Sequence, residues 1–212
     1  MRIMQCWDDS VANDVPLADL LRNYDAKATF NIVPPWRGNN WVYNGDYKVE
    51  KLTVDEMKAA YQGFKVAAHG GVPMTKLKPE ILKLELQECR DLIKKSFGQD
   101  KCGLAYPGGG YDDTVKQAVR DAGFLYARTT KNIDGALPLD DPMELHTHCH
   151  FLSPEFWAKY EKVRELDGVF YFWGHSYELM DNLELWGELE YKLARIAGDP
   201  KAEWIDVIDL FA

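Results

Sequence analysis

Apolar residues along this chain fall into two kinds of pattern. Short unbroken runs alternate with longer stretches in which apolar positions recur every three or four residues. The runs predict buried strands over 2–7, 28–33, 65–68, a short piece near Leu104, 124–127 and 169–173, with a last strand around 205–208. The spaced stretches predict amphipathic helices. One covers 11–24, and another starts at Thr53-Val54-Asp55-Glu56, which has the spacing of a capping box, and stops at Gly63. A third begins with Pro79 in a first helical position and keeps Leu82, Leu86, Cys89 and Ile93 on one face until Gly98. Helices over 113–122 and 154–165 follow, and Trp186, Leu189, Leu193 and Ile196 mark the last helical face.

Strands alternating with helices through short connections predict an α/β fold with a parallel sheet or barrel, and one domain over 1–212. Two stretches lack either period, 34–51 and 128–144. Loops of that length are functional or disordered. The first carries Trp36, Trp41, Tyr43 and Tyr47. It either presents a stacking wall for a sugar or packs its own aromatics.

Composition narrows the class. Hydrophobic residues at 46% and charged residues at 28% describe an ordinary folded chain of 212 residues, long enough for one full core. A formal charge of −9 excludes a sequence-independent nucleic-acid or anionic-membrane surface, since both need a positive field. No apolar run is long enough to span a bilayer. The chain opens Met1-Arg2-Ile3-Met4 and enters a strand without an apolar leader, so a cytoplasmic location is expected. Cys6, Cys89, Cys102 and Cys149 are scattered without a CxxC pair and read as reduced thiols.

Reactive groups follow the strand runs. Asp8-Asp9-Ser10 ends the first, His69 follows Val66-Ala67-Ala68, Tyr106-Pro107-Gly108-Gly109-Gly110 follows Leu104-Ala105, and Gly174-His175-Ser176 follows Phe170–Trp173. In parallel α/β folds the carboxyl ends of the strands open onto one face, so these clusters converge. Paired acids at a strand end can divide between metal binding and base catalysis, or Asp9 or Ser10 can cap the next helix. The glycines free backbone N–H groups for an oxyanion. His146, His148 and His150 alternate, so on an extended segment they share one face, either as a zinc set or as an edge strand.

Taken in order, Trp7-Asp8-Asp9-Ser10, Lys27-Ala28-Thr29-Phe30-Asn31-Ile32-Val33-Pro34, Lys65-Val66-Ala67-Ala68-His69-Gly70, Leu104-Ala105-Tyr106-Pro107-Gly108-Gly109 and Trp173-Gly174-His175-Ser176-Tyr177-Glu178 resemble the motifs of the polysaccharide deacetylases, carbohydrate esterase family 4. The segment 123–130 resembles the strand that follows the third motif in bacterial members. The resemblance implies a distorted (β/α) barrel that removes an acetyl group from an N-acetylated sugar or polysaccharide. It implies Asp8 as base, Asp9 and His69 as ligands of a divalent metal, zinc by first choice, and His175 as general acid. Tyr106 and Gly108 fall in the part of the motif that meets substrate and oxyanion.

Several positions depart from the family pattern, among them Gln5-Cys6-Trp7 and Ser10, variant neighbours of the acid pair where the motif reads Thr-Phe-Asp-Asp-Gly. The second histidine of its metal motif falls on Pro73, its arginine on Ala105, and its oxyanion tyrosine on Gly108. With two matched ligands, weak zinc binding is expected, or a third ligand from His148 or His150. Two other readings stay open: a non-catalytic glycan-binding member, and a hydrolase of a non-sugar amide.

Overall fold

Strands and helices wind around one continuous parallel sheet in this computed structural model, which describes residues 1–211. β1 (Arg2–Asp8) lies between β2 (Thr29–Ile32) and β10 (Val169–Gly174). Beyond β2 come β5 (Lys65–Ala68), β6 (Leu104–Ala105), β7 (Ala127–Asn132) and β8 (Leu145–Thr147), and beyond β10 comes β9 (Cys149–His150). Only His148 separates β8 from β9, so one extended segment pairs with β7 on one side and β10 on the other. The sheet thereby returns on itself as an irregular barrel. His148 holds the closure: its N–H donates to the Tyr171 carbonyl at 2.7 Å, and its Nδ1 accepts from the Tyr171 N–H at 3.0 Å.

Helices α1 (Asp14–Asn23), α2 (Val54–Ala60), α3 (Pro79–Phe97), α4 (Asp113–Asp121), α5 (Phe156–Glu165) and α6 (Leu183–Ala197) form the outer layer. Their stripes, including Leu17, Leu21, Leu82, Leu86, Leu189 and Leu193, bury against Ile3, Trp7, Phe30, Val66, Phe170 and Phe172 of the sheet. Each fully buried side chain of this kind contributes about 1.5–3 kcal/mol. The capping box forms as the spacing predicts, with the Thr53 N–H donating to Glu56 Oε2 at 2.8 Å. Among the described residues no helix is long and apolar enough to cross a membrane.

Strand side chains alternate between that outer layer and the barrel interior. Met4, Cys6, Tyr126, Leu145, Val169 and Tyr171 fill the interior. Continued toward the carboxyl ends of the strands, the inward rows reach Asp8 after Met4 and Cys6, His175 after Tyr171 and Trp173, and Arg128 after Tyr126. On β2 and β5, where Phe30, Val66 and Ala68 belong to the outer layer, the inward rows run Thr29-Asn31 and Ala67-His69. Period-two geometry therefore crowns an apolar barrel with polar groups at one mouth.

Three segments differ from expectation. The stretch 34–51 contains a hairpin, β3 (Trp41–Tyr43) and β4 (Tyr47–Val49), turned by Asn44-Gly45 with both φ positive. That dipeptide is a hairpin signal in its own right. β7 starts later than 124 and runs on to Asn132, because its ladder to β8 continues after the side chains become polar and exposed. The last strand, β11 (Glu203–Trp204), pairs with β1 and ends before 205, where Asp206 and Asp209 cap a short 3-10 turn.

Candidate active site

Adjacent residues on a strand point to opposite faces, yet Asp8 and Asp9 both reach the mouth. The backbone explains it: Asp9 has φ 87° and Ser10 φ 53°, left-handed values that non-glycine residues rarely adopt. The family motif has glycine where Ser10 stands. Ser10 holds the turn by accepting the Val33 N–H at 2.8 Å, and it does not cap α1.

Asp8 is buried. Its Oδ1 accepts from Asn31 Nδ2 at 2.7 Å, and its Oδ2 accepts from Arg128 Nη2. His175 Nε2 lies 3.9 Å from Asp8 Oδ2 and 3.8 Å from Asp9 Oδ2. His69 Nε2 lies 3.8 Å from Asp9 Oδ1. The structure thus brings Asp8, Asp9, His69 and His175 together. Just before His175, Gly174 lets the strand end pack against Phe151, since a Cβ there would stand 2.2 Å from that ring. Gly108 lines the same cleft with φ 65°, facing open space. The cleft holds about 500 Å³ and is walled by Trp41 and Tyr177, whose rings meet edge-on at 5.2 Å.

The charges set one another. Burial alone would raise the Asp8 pKa, but Arg128, His69, His175 and the Asn31 hydrogen bond hold it well below the carboxylate range. Burial works to lower His175, yet Glu178, Asp8 and Asp9 raise it above the ordinary histidine value. Glu178 Oε2 sits 3.2 Å from His175 Nδ1 and 2.8 Å from His150 Nε2. Burial opposes ionisation of Glu178, but the two imidazoles hold it down to about 2. Lys51 enters from the end of β4: its Nζ donates to the Asp9 carbonyl, lies 3.7 Å from Asp9 Oδ1, and stands 4.9 Å over the Trp41 ring.

Several sequence expectations need correction. Tyr106 does not face substrate: its ring is buried, its OH donates to the Met143 carbonyl at 3.0 Å, and its N–H donates to the Arg128 carbonyl. His146, His148 and His150 do not form a shared metal set. His146 Nδ1 pairs with Thr129 Oγ1, His148 Nε2 with the Gly135 carbonyl, and His150 with Glu178. Neither His148 nor His150 completes a shell with Asp9 and His69. Sequence reasoning missed Arg128, Asn31 and Lys51. Arg128 had a signal, a cation two positions beyond Tyr126 in an apolar run; Lys51 had none.

The fit to a divalent metal is partial. His69 Nδ1 lies 3.0 Å from the Ala105 carbonyl and its Nε2 faces Asp9, the orientation in which a backbone carbonyl holds a metal-bound histidine. Ligand atoms of tetrahedral zinc stand about 3.3 Å apart, close to the spacing between these two. Among the described residues, no third histidine, cysteine or carboxylate atom lies within 4.8 Å of both. Pro73 lines the cleft without a donor atom, and the Lys51 ammonium adjoins the Asp9 oxygen that faces His69. These residues do not complete a catalytic zinc shell. The group of three ligand-type atoms within 4.8 Å of one another is His150, His175 and Glu178, which is already joined by the Glu178 contacts.

A family model described as polysaccharide deacetylase matches residues 1–127. No curated protein matches the chain. Among solved structures, a Streptococcus pyogenes deacetylase, PplD, in complex with acetate is 25% identical at a TM-score of 0.55, covering 68% of this chain and 62% of its own. This chain therefore spans less than two thirds of that relative. A family 4 carbohydrate esterase from Streptomyces lividans, also with acetate, is 14% identical at 0.59 and covers 92% of this chain and 89% of its own. A 4-alpha-glucanotransferase from Thermococcus litoralis reaches 0.68 at 11% identity over 99% of this chain and 40% of its own, so the fold is shared beyond deacetylases.

Proposed function

The chain belongs to the polysaccharide deacetylase family, and from that premise we propose that it hydrolyses the acetyl amide of an N-acetylated sugar or polysaccharide. The observation that carries the reading is the meeting of an acid pair with His175, both carboxylates within 4 Å of one imidazole nitrogen.

Asp8 orients the attacking water and takes its proton as the new C–O bond forms. The Gly108 N–H faces the oxyanion that develops on the acetyl carbonyl. His175, whose hold on a proton Glu178 and the two acids strengthen against burial, gives that proton to the amide nitrogen as the C–N bond breaks, leaving acetate and a free amine. Trp41 and Tyr177 offer flat faces for a sugar ring. Asp9 and His69 keep two groups of the metal set that the family resemblance implies. Two ligands beside an ammonium bind zinc weakly; when bound, such an ion polarises a carbonyl.

Release of acetate from N-acetylglucosamine oligomers, matched by new amine, is the test. No release from a broad panel of acetylated sugars, with or without added zinc, would sink the reading. The incomplete metal shell favours one alternative, a glycan-binding member without turnover. Oligosaccharide binding with no acetate released would establish it.

A further inference from the structure

Lys51 has no part in the resemblance to the family, yet its charge lies in the cleft. Its backbone is tied beside the Asp8-Asp9-Ser10 turn: Lys51 bridges to Val11, the Leu52 N–H donates to the Ser10 carbonyl at 3.0 Å, and the Lys51 N–H donates to Asn40 Oδ1 at 2.9 Å. The side chain, 11% exposed, runs under the Trp41 ring and ends on Asp9. A lysine stem is flexible, and fixing it costs entropy that the Asp9 and Trp41 contacts must offset.

We propose that the Lys51 ammonium is the resident cation of this site, standing in the place of a divalent metal beside Asp9 and polarising the acetyl carbonyl. The proposal rests on the deacetylase reading above. Charge balance supports it. The two cleft carboxylates already have two fixed cations, Arg128 on Asp8 and Lys51 on Asp9. A divalent ion bound to Asp9 and His69 meets like charge within a few ångströms, in a cleft that screens poorly. Pro73 withholds the third ligand that would repay this repulsion.

An ammonium supplies part of what the metal supplies. It donates a hydrogen bond to the carbonyl oxygen and holds the negative charge that forms there when water adds to the carbon. The Lys51 proton stays on Nζ throughout. The water's proton goes to Asp8, and the amide nitrogen takes its proton from His175 as the C–N bond breaks, so the step balances without a metal. Lys51 shares the cleft with His69, Gly108 and His175, which places its charge on the wall that substrate must touch.

The test uses the full chain stripped by a chelator and its variants Lys51→Met and Lys51→Arg, with thermal melts confirming that each folds. Zinc affinity is read by titration calorimetry and acetate release by enzymatic assay. The expected result is a wild type that keeps its acetate release in excess chelator. Lys51→Met should lose at least about a hundredfold in kcat, the scale of one oxyanion donor, Lys51→Arg should recover part of it, and Lys51→Met should bind zinc at least about tenfold more tightly than wild type. Wild-type turnover that requires zinc would overturn the proposal, as would equal zinc affinity in wild type and Lys51→Met. If no form releases acetate from any acetylated sugar, the deacetylase reading fails, and the zinc comparison alone still decides whether Lys51 occupies the metal's place.

Discussion

Arg128 grips Asp8 across 120 residues of sequence, inside the barrel and out of reach of solvent. The arginine stands beside Ala105 in the parallel ladder, on the strand next to the position where the family motif carries its own arginine. Arg128 thus places a buried cation one strand over from that position. Arg128 also stacks over Trp173, at 4.8 Å from the ring centroid. Its Nε and Nη1 make no hydrogen bond among the described residues, so Asp8 is its main polar partner.

Removing one member of a buried pair leaves the other charge uncompensated. Arg128→Met is expected to destabilise the fold by about 3–5 kcal/mol, read by urea unfolding. Asp8→Asn placed in that background should recover a good part of the loss, because the stranded carboxylate is gone. A double mutant no more stable than Arg128→Met would show that Arg128 acts through packing on Trp173 instead.

Asp8→Asn alone strands the buried Arg128 charge and should lower stability as well, so its turnover is read on protein shown by circular dichroism to be folded, where it should lose at least about a hundredfold, the usual worth of a general base. His175→Ala should lose a similar factor, and the loss should be steeper on amides than on activated esters, whose leaving groups need no proton. Equal losses on both substrate types would remove His175 from the role of acid.

Glu178 is the lever on His175. The imidazole pKa lies above its ordinary value, so the acid form persists toward neutrality and is lost as pH rises through that raised value. Burial pulls the other way, and Glu178 is the first of the groups that overcome it. Glu178→Gln should therefore move the alkaline limb of kcat/KM to lower pH while leaving the acidic limb in place. An unmoved alkaline limb would mean that another group sets it.

The clusters at strand ends were legible because parallel topology turns a one-dimensional pattern into a shared mouth. Asp8, Asp9, His69 and His175 could be named from that rule alone, and the helix over Pro79–Phe97 from its stripe and its terminal Gly98. What stayed hidden was set by distance in sequence. Nothing near Arg128 says that it will meet Asp8, and nothing near Lys51 says that a hairpin will carry it onto Asp9. The three alternating histidines misled for a related reason. Their segment is shared by two neighbouring strands at the seam of the barrel, so each imidazole finds a different partner. Tyr106 misled because motif position says nothing about where a ring points.

Asp14 offers a last prediction, one that concerns stability and leaves catalysis aside. It opens α1 and is fully buried, accepting from Ser176 Oγ at 2.5 Å, Tyr61 OH at 2.6 Å and the Val11 N–H at 3.2 Å. It thereby ties the first helix to the turn that follows His175. Burial outweighs these three donors and pushes its pKa up to about 6. A carboxyl raised in the folded state stabilises the fold fully below its unfolded value near 4, and that contribution is lost as pH rises through the folded value. A shift from near 4 to about 6 corresponds to about 3 kcal/mol lost between pH 4 and pH 7. Asp14→Asn cannot ionise, so its stability should lack this decline. Unfolding free energies of wild type and Asp14→Asn, measured from pH 4 to pH 8, should converge or cross as pH rises, with the variant gaining relative to wild type. Curves that stay parallel across that window would show that Asp14 ionises in the folded protein as readily as in the unfolded chain.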